Sequence, residues 1–181
     1  MAGSNILKKL KLTIGCINVN SFNLSTLTGR NSKTYLKIEG VTRLRNDVLF
    51  MADCRLNTKE TEWSKLMGLN MNCSYKTYAN SGRDSRGVAI AVKRSIFHEV
   101  VDTFKSADQN VLLMKIKIKG ILIVLGSIYG PNNNDAEFFE RLRTKLTEWG
   151  LPFIIGGDFN TILDMTVGEG NLDKIGGGEN T

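Results

Sequence analysis

Residues 151–161 constrain the fold of this chain more than any other stretch of it. The apolar run Phe153-Ile154-Ile155 follows a proline and is too short for a helix, so it predicts a buried β-strand. Gly156 and Gly157 predict the end of that strand, because glycine reaches backbone conformations that are closed to other residues. The residues after the glycine pair are therefore expected at the end of a buried strand.

Asp158 and Asn160 come directly after the glycine pair, one residue apart. The two-residue period of a strand places both side chains on one side of the backbone and turns Phe159 the other way, into packing. A carboxylate and an amide at a strand end suit contact with metal-bound water or with a phosphate oxygen. An Asx-rich turn after the strand is compatible with the same spacing.

Polar side chains follow other predicted strands in the same way. Strands are predicted at residues 10–19, 48–52 and 121–128, with Asn18, Asp53 and Tyr129 at or just past their ends. Strand ends are where loops converge into a cleft, so we expect these side chains to meet there. Taken singly, each has a simpler role as a turn former, a helix cap or a half-buried aromatic.

The remaining pattern alternates strands and helices. Helices are predicted at residues 32–46, 58–67 and 135–149, and further strands at 75–78, 87–92, 97–103 and 111–118. The first helix has a partial apolar stripe of Leu36, Val41 and Leu44, and the last has Phe138, Leu142, Leu146 and Trp149. Lys119-Gly120 predicts a tight hairpin turn between two strands.

A formal net charge of +6 and a pI of about 9.3 favour a polyanionic partner. Arg83 and Arg86 lie in a polar loop, and Lys115 and Lys117 alternate with apolar residues along a strand. These cations can contact a nucleic-acid backbone, or they can form an ordinary solvated surface.

The three cysteines, Cys16, Cys54 and Cys73, show neither metal-ligand spacing nor a disulfide framework, which fits a reducing compartment. No signal peptide is visible, and the longest aliphatic run, residues 121–125, is far too short to span a bilayer. We therefore expect an intracellular protein, nuclear or cytoplasmic, with no membrane partner.

Four motifs, taken in order, resemble those of one enzyme superfamily. They are Asn18-Val19-Asn20, Gly87-Val88-Ala89-Ile90, Ile128-Tyr129-Gly130-Pro131-Asn132 and Gly157-Asp158-Phe159-Asn160-Thr161. The last resembles the GDFN motif of the endonuclease/exonuclease/phosphatase superfamily. The second and third resemble the GVAI and IYAPN segments of LINE-type (non-LTR) retrotransposon endonucleases. The resemblance covers residues 10–165, and residues 166–181 are predicted to be a glycine-rich flexible tail.

The resemblance implies an α/β fold of the deoxyribonuclease I type, with two packed mixed β-sheets flanked by helices and an incomplete second sheet. It also implies Mg²⁺-dependent hydrolysis of DNA phosphodiester bonds, with Mn²⁺ as an alternative metal. Asp158 would activate the attacking water, Tyr129 and Asn160 would hold the phosphate, Asn18 would orient the phosphate or a metal-bound water, and Asp53 would bind the metal. Asn20, Arg83, Arg86 and Asn132 would contact DNA.

Two departures from the family pattern bear on activity. Asp53 stands where the family has a glutamate, and Ala52 where it has a glutamine. The family's later Asp and its near-terminal Ser-Asp-His have no counterpart here, and the one histidine, His98, lies mid-chain. We therefore expect a C-terminally truncated piece of a retroelement polyprotein that also carries a reverse-transcriptase region. A catalytically dead nucleic-acid-binding fragment and a phosphatase of the same superfamily are the alternatives.

Overall fold

The computed structural model describes residues 11–22, 33–55, 74–81, 86–133 and 135–161. Their strands are β1 (Ile14–Asn18), β2 (Val48–Ala52), β3 (Tyr75–Asn80), β4 (Val88–Lys93), β5 (His98–Lys105), β6 (Val111–Ile118), β7 (Ile121–Tyr129) and β8 (Phe153–Asp158); their helices are α1 (Lys33–Arg43) and α2 (Ala136–Trp149). The helix predicted at residues 58–67 and the tail predicted at 166–181 lie outside these ranges.

The strands form two four-stranded sheets. The first has the order β1-β2-β4-β3 and the second the order β5-β6-β7-β8. Each sheet is mixed, because β1 pairs with β2 and β7 pairs with β8 in parallel, while the other pairs are antiparallel. This arrangement confirms the predicted α/β sandwich of two mixed sheets. None of the helices in the described ranges is long and apolar enough to cross a membrane.

The core has three apolar layers, and β2 contributes to two of them because both of its faces are buried. Val48, Phe50 and Ala52 point into the space between the two sheets, while Leu49 and Met51 point to the opposite face, towards α1. The outer face of the second sheet is covered by α2. The continuous apolar run of β2 is what a strand with two buried faces requires.

Helix α2 is held by its caps and by one apolar stripe. Oδ1 of Asp135 accepts a hydrogen bond from the backbone N–H of Phe138 at 3.2 Å, which caps the first turn. Gly150 ends the helix in the left-handed conformation, and its N–H donates to the carbonyl of Leu146. Phe138, Leu142 and Leu146 are buried, which confirms three of the four predicted members of the stripe; Trp149 is partly buried and packs against them.

The stripe predicted for α1 is wrong in two of its three members. Val41 is buried, and it shares its face with Ile38, three residues earlier. Leu36 and Leu44 are about half exposed. Leu36 lies five residues before Val41, which places it about 140° around the helix and away from the sheet.

The hairpin between β6 and β7 turns at Lys119 and Gly120, as predicted. Both residues have positive φ, 49° and 86°. A two-residue hairpin turn whose twist matches that of the flanking strands needs positive φ at both positions. On β6, Lys115 and Lys117 alternate with the buried residues Ile116 and Ile118.

Asp47 joins the first two strands at their starts and suggests a test of the first sheet. Its Oδ2 accepts hydrogen bonds from the backbone N–H and the hydroxyl of Thr13, both at 2.9 Å, and its Oδ1 lies 3.7 Å from Nζ of Lys93. These partners, the Thr13 backbone first, hold the pKa of Asp47 below its ordinary value. The ionised carboxylate therefore stabilises the fold.

We predict that Asp47→Asn lowers the free energy of unfolding at pH 7 by about 1 kcal/mol, the typical value of a net hydrogen bond. Because the folded-state pKa of Asp47 is lowered, its contribution is fully present above the unfolded pKa of about 4 and is lost as the pH falls from there through the folded pKa, so the gap between wild type and variant should narrow below about pH 4. Urea unfolding at pH 7 and pH 3 measures the gap. Glu99→Gln, on an exposed stretch of β5, is the control. A gap that is as large at pH 3 as at pH 7 would contradict the assignment.

Candidate functional site

The C-terminal ends of four strands meet at one edge of the sandwich. Asn18 ends β1 beside Ala52 of its parallel neighbour β2, and Tyr129 ends β7 beside Asp158 of its parallel neighbour β8. Parallel neighbours end at the same edge of a sheet, so each pair delivers its polar residues together. The sheets pack face to face, which brings the two pairs of strand ends together.

A hydrogen bond between side chains joins the two sheets at this edge. Nδ2 of Asn18 donates to Oδ2 of Asp158 over 2.7 Å. Two further contacts link the sheets: Sγ of Cys16 lies 3.5 Å from the carbonyl oxygen of Gly157, and the buried hydroxyl of Ser127 donates to the carbonyl of Met51 at 3.0 Å. Asp158 is thus fixed by a partner from the opposite sheet.

The glycine pair does not end β8, contrary to the sequence prediction. The strand continues through Gly156 and Gly157 to Asp158. A Cβ on Gly156 would lie 2.5 Å from the ring of Phe50, and one on Gly157, whose φ is 145°, would overlap the backbone of Ile128. The glycines are needed because other groups approach the strand too closely for any side chain.

Asn160 does not share a strand face with Asp158, because its φ of 49° leaves the extended region. Its backbone N–H donates to Oδ1 of Asp158 at 3.1 Å, which forms an Asx turn, and its Nδ2 donates to the carbonyl of Gly130 at 2.8 Å. The prediction that Phe159 packs inward is also wrong, since it is 41% exposed. The amide of Asn160 therefore ties the end of β8 to the end of β7.

Asp53 is buried and paired with two arginines. Its side chain is only 5% exposed. Oδ1 accepts from Nε of Arg55 at 2.7 Å, while Oδ2 lies 3.4 Å from Nη2 of Arg55 and 3.5 Å from Nη1 of Arg86. The hydrogen bond to Asp53 raises the pKa of Arg55 above its ordinary value. A nearly inaccessible carboxylate thus holds two cations.

The same arginines connect Asp53 to Tyr129. The guanidinium carbon of Arg86 lies 5.2 Å from the centre of the Tyr129 ring, a cation–π distance. The backbone N–H of Arg55 donates to the carbonyl of Arg86 at 2.6 Å, so the two segments run side by side. Asp53, Arg55, Arg86 and Tyr129 form one contiguous group, hereafter the arginine cluster.

Strained backbone concentrates at this edge. Of the eight non-glycine residues with positive φ in the described ranges, five lie here: Asn20, Ser21, Asp53, Arg55 and Asn160. Each such residue costs on the order of 1 kcal/mol or more, and strain of this kind gathers at functional sites. The left-handed backbone at Asp53 and Arg55 brings their side chains together although they are only two residues apart.

The residues of the arginine cluster do not fit a metal site in this arrangement. Mg²⁺ is usually held by one or two carboxylates and several waters, and the sequence predicts Asp53 as the ligand. Both oxygens of Asp53 are in contact with guanidinium groups. No three His, Cys, Asp or Glu side chains gather into a metal-binding group in the part of the chain that is described. A cation could reach Asp53 only by displacing the arginines.

Other predicted site residues have weaker connections to this edge. The backbone N–H of Asn20 donates to Oδ1 of Asn18 at 2.9 Å, and its own side chain is exposed. Asn132 is exposed on the segment that follows β7, and Arg83 lies outside the described residues.

The lysine face and the histidine lie away from the strand ends. Lys115 and Lys117 pair with Val124 and Leu122, towards the start of β7, and Nζ of Lys115 lies 5.0 Å from the ring centre of Trp149 in α2. His98 is at the opposite end of the second sheet from Tyr129, where its Nε2 lies 3.0 Å from the hydroxyl of Tyr78.

Sequence reasoning missed two cations at the site. Arg55 is two residues from Asp53, and this short spacing after a buried strand is the signal that could have indicated the pair. Lys37, on α1, donates from Nζ to the carbonyls of Asn20 and Ser21 at 2.6 and 2.8 Å. No local pattern relates Lys37 to these carbonyls.

The chain matches one family of known proteins over most of its length. The family described as Endonuclease/Exonuclease/phosphatase matches residues 17–174 of the chain. No curated protein sequence matches the chain.

Solved structures with the same fold include a humanized TDP2 of D. rerio carrying 14 mutations (TM-score 0.60, 17% identity), covering 87% of this chain and 69% of that one. ANGEL2, a 2',3'-cyclic phosphatase, is similar with a TM-score of 0.61 and 14% identity, covering 84% of this chain and 54% of that one. An AP endonuclease from Archaeoglobus fulgidus has a TM-score of 0.55 and 19% identity, covering 83% and 58%. The chain thus spans little more than half the length of the last two.

We predict that Gly157→Ala destabilises the protein by on the order of 3 kcal/mol or more, because the new methyl group overlaps the backbone of Ile128. Gly40→Ala is the matched control: Gly40 lies in α1 with open space around it, and alanine there should stabilise by about 0.5–1 kcal/mol. Urea denaturation of both variants measures the difference. Equal stability of the two variants would show that β7 and β8 do not need the close approach at Gly157.

Proposed function

Because this chain belongs to the Endonuclease/Exonuclease/phosphatase family, we propose that it is a hydrolase of phosphate esters whose substrate is DNA. Two of the similar structures support DNA as the substrate class. TDP2 of D. rerio has been solved with a single strand DNA product, and another similar structure is an AP endonuclease. The net charge of +6 is consistent with a polyanionic substrate.

The observation that carries the proposal is the hydrogen bond from Asn18 to Asp158 between the two sheets. It fixes a half-buried carboxylate at the edge where four strand ends meet, beside Tyr129. Each oxygen of Asp158 accepts one hydrogen bond in the structure, and a carboxylate oxygen can accept two. Asp158 therefore keeps acceptor capacity for a water molecule.

In the proposed reaction Asp158 takes the proton from the attacking water. Asn18 holds the carboxylate in position, so that base and nucleophile meet in a fixed geometry. Tyr129 and Asn160 flank Asp158 on neighbouring strand ends and hold the phosphate. Arg86, with its guanidinium over the Tyr129 ring, supplies positive charge where the phosphate becomes more negative.

A divalent cation, Mg²⁺ or Mn²⁺, is part of the proposal because members of this superfamily generally use one. When bound, it would neutralise phosphate charge and polarise water. Asp53 does not offer it a free oxygen in this arrangement, because both of its oxygens contact guanidinium groups.

Within the family, we propose a LINE-type retrotransposon endonuclease. The support is the sequence resemblance of Ile128-Tyr129-Gly130-Pro131-Asn132 and Gly87-Val88-Ala89-Ile90 to the segments of those domains. Gly87 and Gly130 are both close to the site in the structure: the carbonyl of Gly87 accepts from the N–H of Cys54, and that of Gly130 accepts from Asn160. A reverse-transcriptase region of the parent polyprotein is then the expected partner, and the expected location is intracellular, nuclear or cytoplasmic.

A second candidate is a fragment that binds nucleic acid without cleaving it. It is favoured by the position of His98, which is at the far end of the second sheet with its Nε2 3.0 Å from the hydroxyl of Tyr78, so this histidine does not reach the strand ends. The two candidates differ in whether bound DNA is cut. Both use the cations at the strand ends for affinity.

We predict that the protein nicks supercoiled plasmid in the presence of Mg²⁺ and stops when the metal is chelated. Asp158→Asn should lower the rate by about a hundredfold or more, because the amide cannot accept the proton from water. Asp108→Asn, in an exposed turn, is the charge-matched control and should leave nicking unchanged.

Other outcomes separate the alternatives. Salt-sensitive retention of DNA without nicking by the wild type would contradict hydrolysis and favour the binding fragment. Faster release of phosphate from an inositol phosphate than cleavage of DNA would favour a phosphatase of the same family.

A further inference from the structure

We propose that Asp53 positions Arg55 and Arg86 to bind a phosphate group, rather than serving as a metal ligand. The proposal deepens the proposed function and rests on it for the source of the phosphate, a nucleic-acid strand. The contacts of Asp53 in the structure do not match the role that the resemblance implies for it. The acid that sequence resemblance assigns to a cation already holds two, and both belong to the chain itself.

The charges of the arginine cluster favour an anion. One carboxylate faces two guanidinium groups, so Asp53, Arg55 and Arg86 together carry a net positive charge. A divalent cation bound at Asp53 would be repelled by both guanidiniums, whereas a phosphate would be attracted by both.

In the arginine cluster the acid is buried and the two cations are partly exposed, as anion binding requires. The side chain of Asp53 is 5% exposed, while those of Arg55 and Arg86 are 45% and 41% exposed. The carboxylate is therefore inaccessible and the cations are not. A guanidinium has more N–H donors than these contacts with Asp53 use, so each arginine keeps donors for a ligand.

The guanidiniums are fixed before any ligand arrives. Arg55 is held through Nε at 2.7 Å, and its backbone is hydrogen-bonded to that of Arg86. Arg86 is also held against the Tyr129 ring, whose strand neighbour is Asp158. Planar arginines that are held in place recognise phosphate oxygens with less loss of side-chain freedom than mobile ones. The phosphate would thus be bound next to the residues proposed for hydrolysis.

The test is isothermal titration calorimetry with inorganic phosphate in metal-free buffer. Arg55→Ala and Arg86→Ala should each weaken binding about tenfold, the value of one charge-assisted hydrogen bond. Arg143→Ala, an exposed arginine of α2 paired with Glu140, removes the same charge far from the strand ends and should leave phosphate affinity unchanged.

Asp53→Asn separates positioning from simple charge. If Asp53 acts only through its negative charge, which repels an anion, removing that charge should strengthen phosphate binding. If Asp53 positions the arginines, the loss of their anchor should weaken binding, by about threefold or more. The variant is nearly isosteric, and its far-UV circular dichroism and melting temperature verify the fold. Stronger phosphate binding by Asp53→Asn overturns the proposal.

A second readout tests the metal role directly. Electron paramagnetic resonance of Mn²⁺ measures free ion, and Asp53→Asn should leave Mn²⁺ affinity unchanged. Loss of Mn²⁺ binding together with unchanged phosphate affinity would show that Asp53 is a metal ligand and overturn the proposal. Neither measurement needs turnover, so a failure to nick plasmid leaves this test intact.

A fluorescein-labelled oligo-dT strand distinguishes the two sources of phosphate. If the site takes a backbone phosphate, Arg86→Ala should weaken strand binding and reduce its salt dependence by about one released ion. If the variants change the affinity for inorganic phosphate but not the affinity for the strand, the site binds free phosphate instead of nucleic acid.

Discussion

The close approach of the two sheets at Gly156 is the constraint on which the rest of the site depends. A side chain at Gly156 would collide with Phe50 of the first sheet, and one at Gly157 would overlap the backbone of Ile128 on β7, the neighbouring strand of the same sheet. Because the strand carries no Cβ there, β8 comes near enough for Asn18 on the first sheet to reach Asp158 on the second. The glycine pair that sequence reasoning takes for a strand end therefore lets β8 pack closely against two neighbours, the first sheet at Gly156 and β7 at Gly157.

Two kinds of electrostatic arrangement lie side by side at the strand ends. Asp158 is held by neutral donors, the amide of Asn18 and the backbone N–H of Asn160, and it keeps lone pairs free for water. Asp53 is held by two guanidiniums and is almost inaccessible. The two acids therefore have different chemistry available to them: the first can accept a proton, and the second can orient cations.

Local signals in the sequence, namely apolar runs, turn residues and caps, were sufficient for the described strands and helices and for the polar residues at strand ends. The sandwich of two sheets was predicted from the resemblance to a known family. The local signals were not sufficient for contacts between distant residues. The pairing of Asp53 with Arg86 depends on which strands become neighbours, and the exposure of Phe159 depends on the left-handed backbone of Asn160. On α1, the choice of Ile38 over Leu36 for the buried face depends on how the helix docks. Such features follow from tertiary packing and leave little trace in local sequence.

The central claim is that Asn18 and Asp158 act as one unit in hydrolysis, and a double-mutant cycle in plasmid nicking tests it most directly. Asn18→Ala alone should lower the nicking rate by about tenfold or more, since Asp158 loses the partner that positions it. In an Asp158→Ala background, the same change should have almost no further effect. If the rate of the double variant were reduced by the product of the two single losses, or if Asn18→Ala kept full activity, the account would be contradicted.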